Sequence, residues 1–151
     1  MSKEHQLPYL SEYGPCACSQ LRRAARKLSL LYDQALQPAA VTVTQYALLV
    51  NVARAGEISR TALATQLGTD RTTLTRNLLP LEKAGLIVPA ESADRRERLI
   101  RLSAGGTRKV RESFPLWQKA QERFASQMGP AKLKQFRAAL KAAELAAETN
   151  A

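Results

Sequence analysis

The sequence predicts a mainly α-helical protein carrying one short β hairpin, and three observations lead there. Apolar residues fill 45% of the 151 positions while aromatics reach only 5%. Alanine and leucine therefore supply most of the burial, a balance that favours helices over a β-sandwich. Long stretches place their apolar residues at three- and four-residue steps, the period of a helix buried along one face. Between them lie two short helical stretches around a single glycine, then two apolar runs flanking a charged loop.

Taken in order, residues 1–14 are polar and read as an arm. From Pro15 onward, Leu21, Ala24, Ala25, Leu28, Leu31, Tyr32, Ala35 and Leu36 form the stripe of a first helix. Arg22, Arg23, Arg26 and Lys27 fill much of its other side, and Pro38 ends it. A second helix is capped by Thr42 or Thr44, buries Tyr46, Leu49, Val50 and Ala53, and closes at Gly56. Ser59 caps a short third helix with Ala62, Leu63 and Leu67 inward, and Gly68 makes the turn. Thr69 or Asp70 caps the next helix, which carries Leu74, Leu78 and Leu81 and stops at Gly85. Two short helices about a tight glycine turn are the helix-turn-helix signature.

Residues 86–88 and 99–102 then read as the two strands of a hairpin with a basic tip, a wing. An isolated hairpin is marginal, so this one must pack on the helices. Ser103 caps a long helix towards Met128, with Gly105 and Gly106 weakening its first turn and Pro115 bending it. After Gly129 and Pro130 a last helix runs to about Glu148, with Leu133, Phe136, Leu140 and Ala143 at helical spacing. The predicted fold is a winged helix-turn-helix of residues 42–103 with a two-stranded wing, flanked by helical segments 15–37 and 104–151. At this length the chain forms one domain with a real core, or a compact domain with a helical extension.

The formal charge of +10 and a pI near 10.1 point to a polyanionic partner, nucleic acid or an anionic membrane. A charge that serves solubility alone is the competing account. No apolar run approaches the roughly 20 residues needed to cross a bilayer. Residues 1–14 lack the apolar centre and cleavage site of a signal peptide. A soluble, cytoplasmic protein with no membrane partner is expected.

The stretch Leu63-Ala64-Thr65-Gln66-Leu67-Gly68-Thr69-Asp70-Arg71-Thr72-Thr73-Leu74-Thr75-Arg76, followed by Leu81-Glu82-Lys83-Ala84-Gly85-Leu86-Ile87, resembles the MarR (multiple antibiotic resistance regulator) family. Asp94-Arg95-Arg96, with Leu102-Ser103 and Gly106 closing the hairpin, completes the pattern. The likeness covers about residues 16–149, with residues 59–106 carrying most of its specificity. It implies a transcriptional regulator, usually a repressor, released from DNA by a small ligand or by an oxidant. It also implies a symmetric homodimer built from the first helix and the last two, binding a pseudo-palindromic double-stranded operator with half-sites about one turn apart. Phenolic or carboxylate effectors of the family often bind between the dimer helices and the reading head.

The residues agree with that implication. Arg71, Thr72, Thr73, Thr75, Arg76 and Asn77 lie near the N-terminal half of the second short helix, the end that enters a major groove. Arginine pairs there with guanine, asparagine with adenine, and threonine methyls touch thymine. Ser59 is taken with them as a candidate contact. Pro80 follows in the same helix and either positions the reading segment or kinks a solvent side. In the wing, Arg95, Arg96 and Arg98 cluster about Asp94 and Glu97, a pattern suited to minor-groove insertion once a helix-turn-helix precedes it. By resemblance, Arg96 is the wing arginine and Asp94 its orienting acid.

The two cysteines, Cys16 and Cys18, are predicted in the first turn of helix one, near Arg22 and Arg23. The helix dipole and these cations favour the thiolate. One branch of the family senses organic hydroperoxides through a cysteine at this place; Cys18 and Tyr32 resemble its cysteine and one contacting tyrosine. Val43 stands where that branch has a second tyrosine. Redox sensing, soft-metal capture and a plain structural role stay open. Residues two apart on a helix do not face each other, so a Cys16–Cys18 bridge requires local unwinding and a bridge across a dimer is easier.

His5 with two cysteines makes no convincing zinc site, and no metal or cofactor is expected. Tyr9 and Tyr13 cover a dimer or hang in solvent, and Trp117 and Phe114 read as core. The chain is not read as an enzyme. A thiol-dependent oxidoreductase is the alternative, opposed by the missing C-x-x-C and βαβ pattern. A nonspecific architectural DNA-binding protein is the other, and it would bind all sequences equally.

Overall fold

The computed structural model describes residues 14–91 and 98–148. The element order is α1 (Ala17–Leu36), a 3-10 turn (Gln37–Ala39), α2 (Val43–Ala55), β1 (Glu57–Ser59), α3 (Arg60–Gln66), α4 (Arg71–Lys83), β2 (Ile87–Pro89), β3 (Leu99–Leu102), α5 (Ala104–Met128) and α6 (Pro130–Glu148). The sheet has three strands in the order β1-β3-β2, all antiparallel, with Ile58 opposite Ile100 and Ile87 opposite Leu102. The two strands expected of the wing are present as β2 and β3, and β1, which the sequence reading did not include, joins them as a third strand on the far side of β3. β1 is only three residues long, and pairing with β3, rather than any alternation of its own, makes it a strand.

Side-chain caps set most helix starts. Thr42 accepts from the Gln45 N–H while Gln45 returns a bond to the Thr42 N–H, a full capping box. Ser59 caps α3, Asp70 caps α4 and Ser103 caps α5. Gly68, at φ +60°, reverses the chain between α3 and α4 in the left-handed region open to glycine. Pro80 and Pro115 lie inside α4 and α5 without ending them.

Gly106 corrects the sequence reading in another way. A Cβ there would stand 2.1 Å from the Leu86 carbonyl oxygen, so this glycine lets α5 start against β2. The Ser103 hydroxyl donates to the Gly85 oxygen at 2.6 Å in the same joint.

The main core is built by Leu49, Val52, Leu63, Leu74, Leu78, Leu81, Ile87 and Ile100, all at most 2% exposed. It joins α2, α3, α4 and the sheet. A second, smaller cluster of Leu36, Ala39, Val41 and Tyr46 packs against Leu116 and Trp117 and ties α1 to α2 and α5. On α2 the buried stripe is Tyr46, Leu48, Leu49 and Val52; Val50 is half-buried and Ala53 exposed, contrary to the stripe expected. Asp33 accepts the Val43 N–H at 2.6 Å and Lys109 donates to the Ala39 oxygen at 2.9 Å, pinning the turn between α1 and α2.

The outer helices are different. Leu21 is 47% exposed, Ala24 and Ala25 are exposed, and no residue of α6 is fully buried within this chain. The N-terminal half of the α1 stripe is uncovered, and the α6 stripe at Leu133, Phe136 and Leu140 is only half-buried.

Candidate nucleic-acid interface

α4 is held on one side by Leu74, Leu78 and Leu81 in the core. Its periodicity therefore turns Arg71, Thr72, Thr75 and Arg76 outward together, and all four are exposed. Thr73 and Asn77 flank the buried stripe and are half-buried. Thr73 is committed to the cap: its N–H donates to Asp70 Oδ1 at 2.8 Å and its hydroxyl to Oδ2 at 2.6 Å. These bonds hold the Asp70 carboxyl below its ordinary value of 3.8, the Thr73 hydroxyl first and its N–H second. Asn77 helps line a cavity of about 330 Å³ between α2 and the α3–α4 turn, with Leu48, Leu67 and Leu74.

Ser59 is half-buried at the junction of β1 and α3, and its oxygen accepts the Ala62 N–H at 3.1 Å. That leaves the hydroxyl proton to donate elsewhere. Arg98, just before β3, is exposed, as is Arg101 on β3 opposite Glu57. Asp94, Arg95, Arg96 and Glu97 lie outside the described residues, as do His5, Tyr9 and Tyr13.

The sequence reading missed Arg60. This first residue of α3 pairs with Glu82 in the last turn of α4 at 2.5 Å. A 22-residue separation gives no local pattern to read.

At the far end, Cys16 and Cys18 are free and exposed. Cys16 is the N-cap of α1 rather than a first-turn residue; only Cys18 lies within the first turn. The Cys16 thiol faces the Ser19 backbone N–H, then the Ser19 hydroxyl and the Cys18 N–H, which lower it from the ordinary 9.0, although no bond of capping geometry forms. Beside it a shallow cavity is lined by Ser19, Gln20, Arg23 and Arg26.

Tyr32 donates its hydroxyl to Gln121 Oε1 at 2.6 Å, linking α1 to α5. Burial raises its pKa, with Arg137 opposing. Cys18 lies 14 residues earlier on the same helix, about 21 Å away, so a Cys18–Tyr32 contact would require a second chain.

Phe114, expected in the core, is 50% exposed. With Tyr46, Val50, Trp117, Asn51 and Arg54 it lines a cavity of about 490 Å³ between α2 and α5. Tyr46 and Trp117 ring centroids are 5.9 Å apart there. Burial raises the Tyr46 pKa, with Arg54 opposing. Among the described residues no group of three or more His, Cys, Asp or Glu could hold a metal ion, and no helix is long and apolar enough to cross a membrane.

The MarR family model matches residues 41–97. The chain is 36% identical to the transcriptional regulator MosR of M. tuberculosis crystallised in complex with DNA, covering 87% of this chain and 98% of that one at a TM-score of 0.75. Another crystal structure of MosR matches at 33% identity, 87% and 97% coverage and a TM-score of 0.71. A mutant MarR from E. coli complexed with operator DNA shares the fold at 22% identity, with 83% and 91% coverage and a TM-score of 0.76. With the helix-turn-helix, its adjoining hairpin and the flanking helices all in place, the chain belongs to the MarR family.

Proposed function

We propose that this chain is a sequence-specific DNA-binding transcriptional regulator, not an enzyme, that acts as a homodimer on a pseudo-palindromic operator. The observation that carries this reading is the single outward face of α4 formed by Arg71, Thr72, Thr75 and Arg76, with the opposite face locked in the core. Membership of the MarR family and the DNA complex of a 36% identical relative support it. Residues 42–103 serve as the reading head, and residues 15–37 and 104–151 as the dimerisation region, whose incompletely covered apolar stripes suit a second copy.

In the major groove Arg71 and Arg76 meet bases or phosphates while Thr72 and Thr75 offer hydroxyls and methyls. Ser59 offers its hydroxyl to the backbone at the α3 start. Asn77 and Thr73 act mainly by shaping the head. The wing assignment rests on the family pattern: Arg96 enters the minor groove with Asp94 orienting it, and Arg95 and Arg98 add phosphate contacts.

Selection of duplexes from a random pool tests this. One preferred palindrome is expected, and Arg96→Ala should weaken its binding several-fold and flatten the salt dependence. Equal affinity for all duplexes would instead make the protein architectural.

The signal is proposed to be a repressor's release, by a small ligand or by thiol oxidation. The thiol route is favoured by the exposed pair and the lowered Cys16 pKa. Its thiolate attacks a hydroperoxide, which leaves as an alcohol, giving a sulfenic acid. A second thiol then displaces water to close a disulfide. A bridge to Cys18 would cost α1 its first turn. The α2–α5 cavity, aromatic with Arg54 at its edge, suits an aromatic carboxylate as effector. Operator affinity that survives hydroperoxide with both thiols still titratable removes the redox route.

A further inference from the structure

We infer that the Arg60–Glu82 pair is a positioning clamp that fixes the angle of α4, and so sets DNA selectivity without touching a base. This rests on the DNA-binding reading above. The pair joins the first residue of α3 to the last turn of α4, across 22 residues of sequence, at 2.5 Å. Both side chains are half-buried, at 31% and 25% exposure, and the Arg60 Nε is buried without a hydrogen-bond partner among the described residues.

Each charge is misplaced for its own helix. A helix start favours acidic side chains and a helix end basic ones. Here the α3 start carries Arg60 and the α4 end carries Glu82. Neither placement helps its helix, so the juxtaposition itself is what the two charges serve.

The geometry around Glu82 gives the clamp a purpose. Pro80 lies inside α4 and lacks the N–H that would bond the Arg76 carbonyl. The helix therefore lacks one backbone bond between the reading segment and its last turn. Glu82 lies beyond that weak point and is anchored to α3. Leu78 and Leu81 hold the helix by non-directional packing; the ion pair adds a fixed direction. Over the roughly 16 Å of helix between Glu82 and Arg71, a few degrees of rotation at this foot would displace Arg71 and Thr72 by about an ångström.

The test uses the full-length protein with the duplex that the wild type selects and a scrambled duplex of equal length. If the wild type selects no preferred duplex, the DNA-reading proposal fails, and the clamp with it. If it does, Arg60→Ala and Glu82→Ala should each lower operator affinity about tenfold while moving scrambled-duplex affinity by about twofold or less. The shared direction is decisive, because the two substitutions change the net charge oppositely. An Arg60 that merely attracts phosphate predicts loss on both duplexes for Arg60→Ala and gain on both for Glu82→Ala, which would overturn the clamp.

The exchanged pair, Arg60→Glu with Glu82→Arg, puts each charge at the helix end that favours it and keeps their attraction. It should recover most of the operator preference lost by either single alanine variant. Thermal unfolding of all four proteins is followed in parallel. Lower melting temperatures with an unchanged operator-to-scrambled ratio would reduce the pair to a stability contact and end the proposal.

Discussion

The reading head and the long outer helices are made of similar residues, yet they stand in opposite states of completion. The head encloses Leu49, Leu63, Leu74 and Leu78 at 1% exposure or less. The N-terminal half of α1 leaves Leu21 at 47%, and α6 has no fully buried residue. Both regions carry regular apolar stripes, so periodicity alone does not separate them. A head that closes within one chain keeps its geometry whatever its partner does. Helices left open gain stability when a second surface covers them, which couples their stability to assembly.

The sharpest way to break this contrast is to cut one large side chain from each region. Leu78→Ala opens a cavity in a fully closed core and should cost about 2–5 kcal/mol, seen as a lower unfolding midpoint at every protein concentration. Phe136→Ala removes a half-buried ring on α6 that meets Phe124 edge-on at 6.0 Å. It should shift sedimentation towards monomer and make the melting temperature depend more steeply on concentration. If Phe136→Ala instead lowers the midpoint as much as Leu78→Ala, independent of concentration, the outer helices belong to the one-chain core and the contrast is wrong.

A second substitution probes the seam between the two regions. Gly106 begins the long helix where it passes the Leu86 carbonyl, and a methyl group would meet that oxygen at 2.1 Å. Backbone cannot yield as a flexible side chain does. Gly106→Ala should therefore cost about 1–3 kcal/mol despite alanine's better helix propensity. A variant as stable as the parent in urea would show that the seam is loose.

These cases also mark what the sequence made legible. Caps are local chemistry, so Ser59 and Ser103 could be read as helix starts and two others narrowed to Thr42 or Thr44 and Thr69 or Asp70, of which Thr42 and Asp70 form the caps. The stripe of α4 announced which residues face out. β1 was not legible, because Glu57, Ile58 and Ser59 form a strand only through β3, over 40 residues away. Gly106 looked like a helix weakness, since its purpose lies in a carbonyl from another element. Phe114 and Ala53 were misjudged for a related reason: hydrophobicity reports a tendency to be covered, whereas the α2–α5 cavity leaves these positions open. Arg60 was not singled out, and Glu82 stood out only within the stretch that carries the family resemblance. What pattern reading loses is whatever depends on two distant segments meeting.

The smallest effect expected is at Asp70, where the closed head meets the surface proposed to face DNA. Its folded pKa lies below the ordinary 3.8 because Thr73 bonds the charged form. A depressed carboxylate stabilises the fold at pH above its unfolded value, and that contribution disappears as pH falls through the lower folded value. Asp70→Asn keeps an oxygen to accept the Thr73 N–H but carries no charge to titrate. The wild type should thus be slightly more stable than Asp70→Asn near neutrality, and the gap should close on acidification below 3.8. The same substitution removes a negative charge from the end of α4 proposed to face phosphates, so affinity for scrambled duplex should rise as stability falls. A gap in unfolding midpoint that stays constant from neutral to acid pH would show that Asp70 serves α4 through hydrogen bonding alone, with its charge contributing nothing to the head.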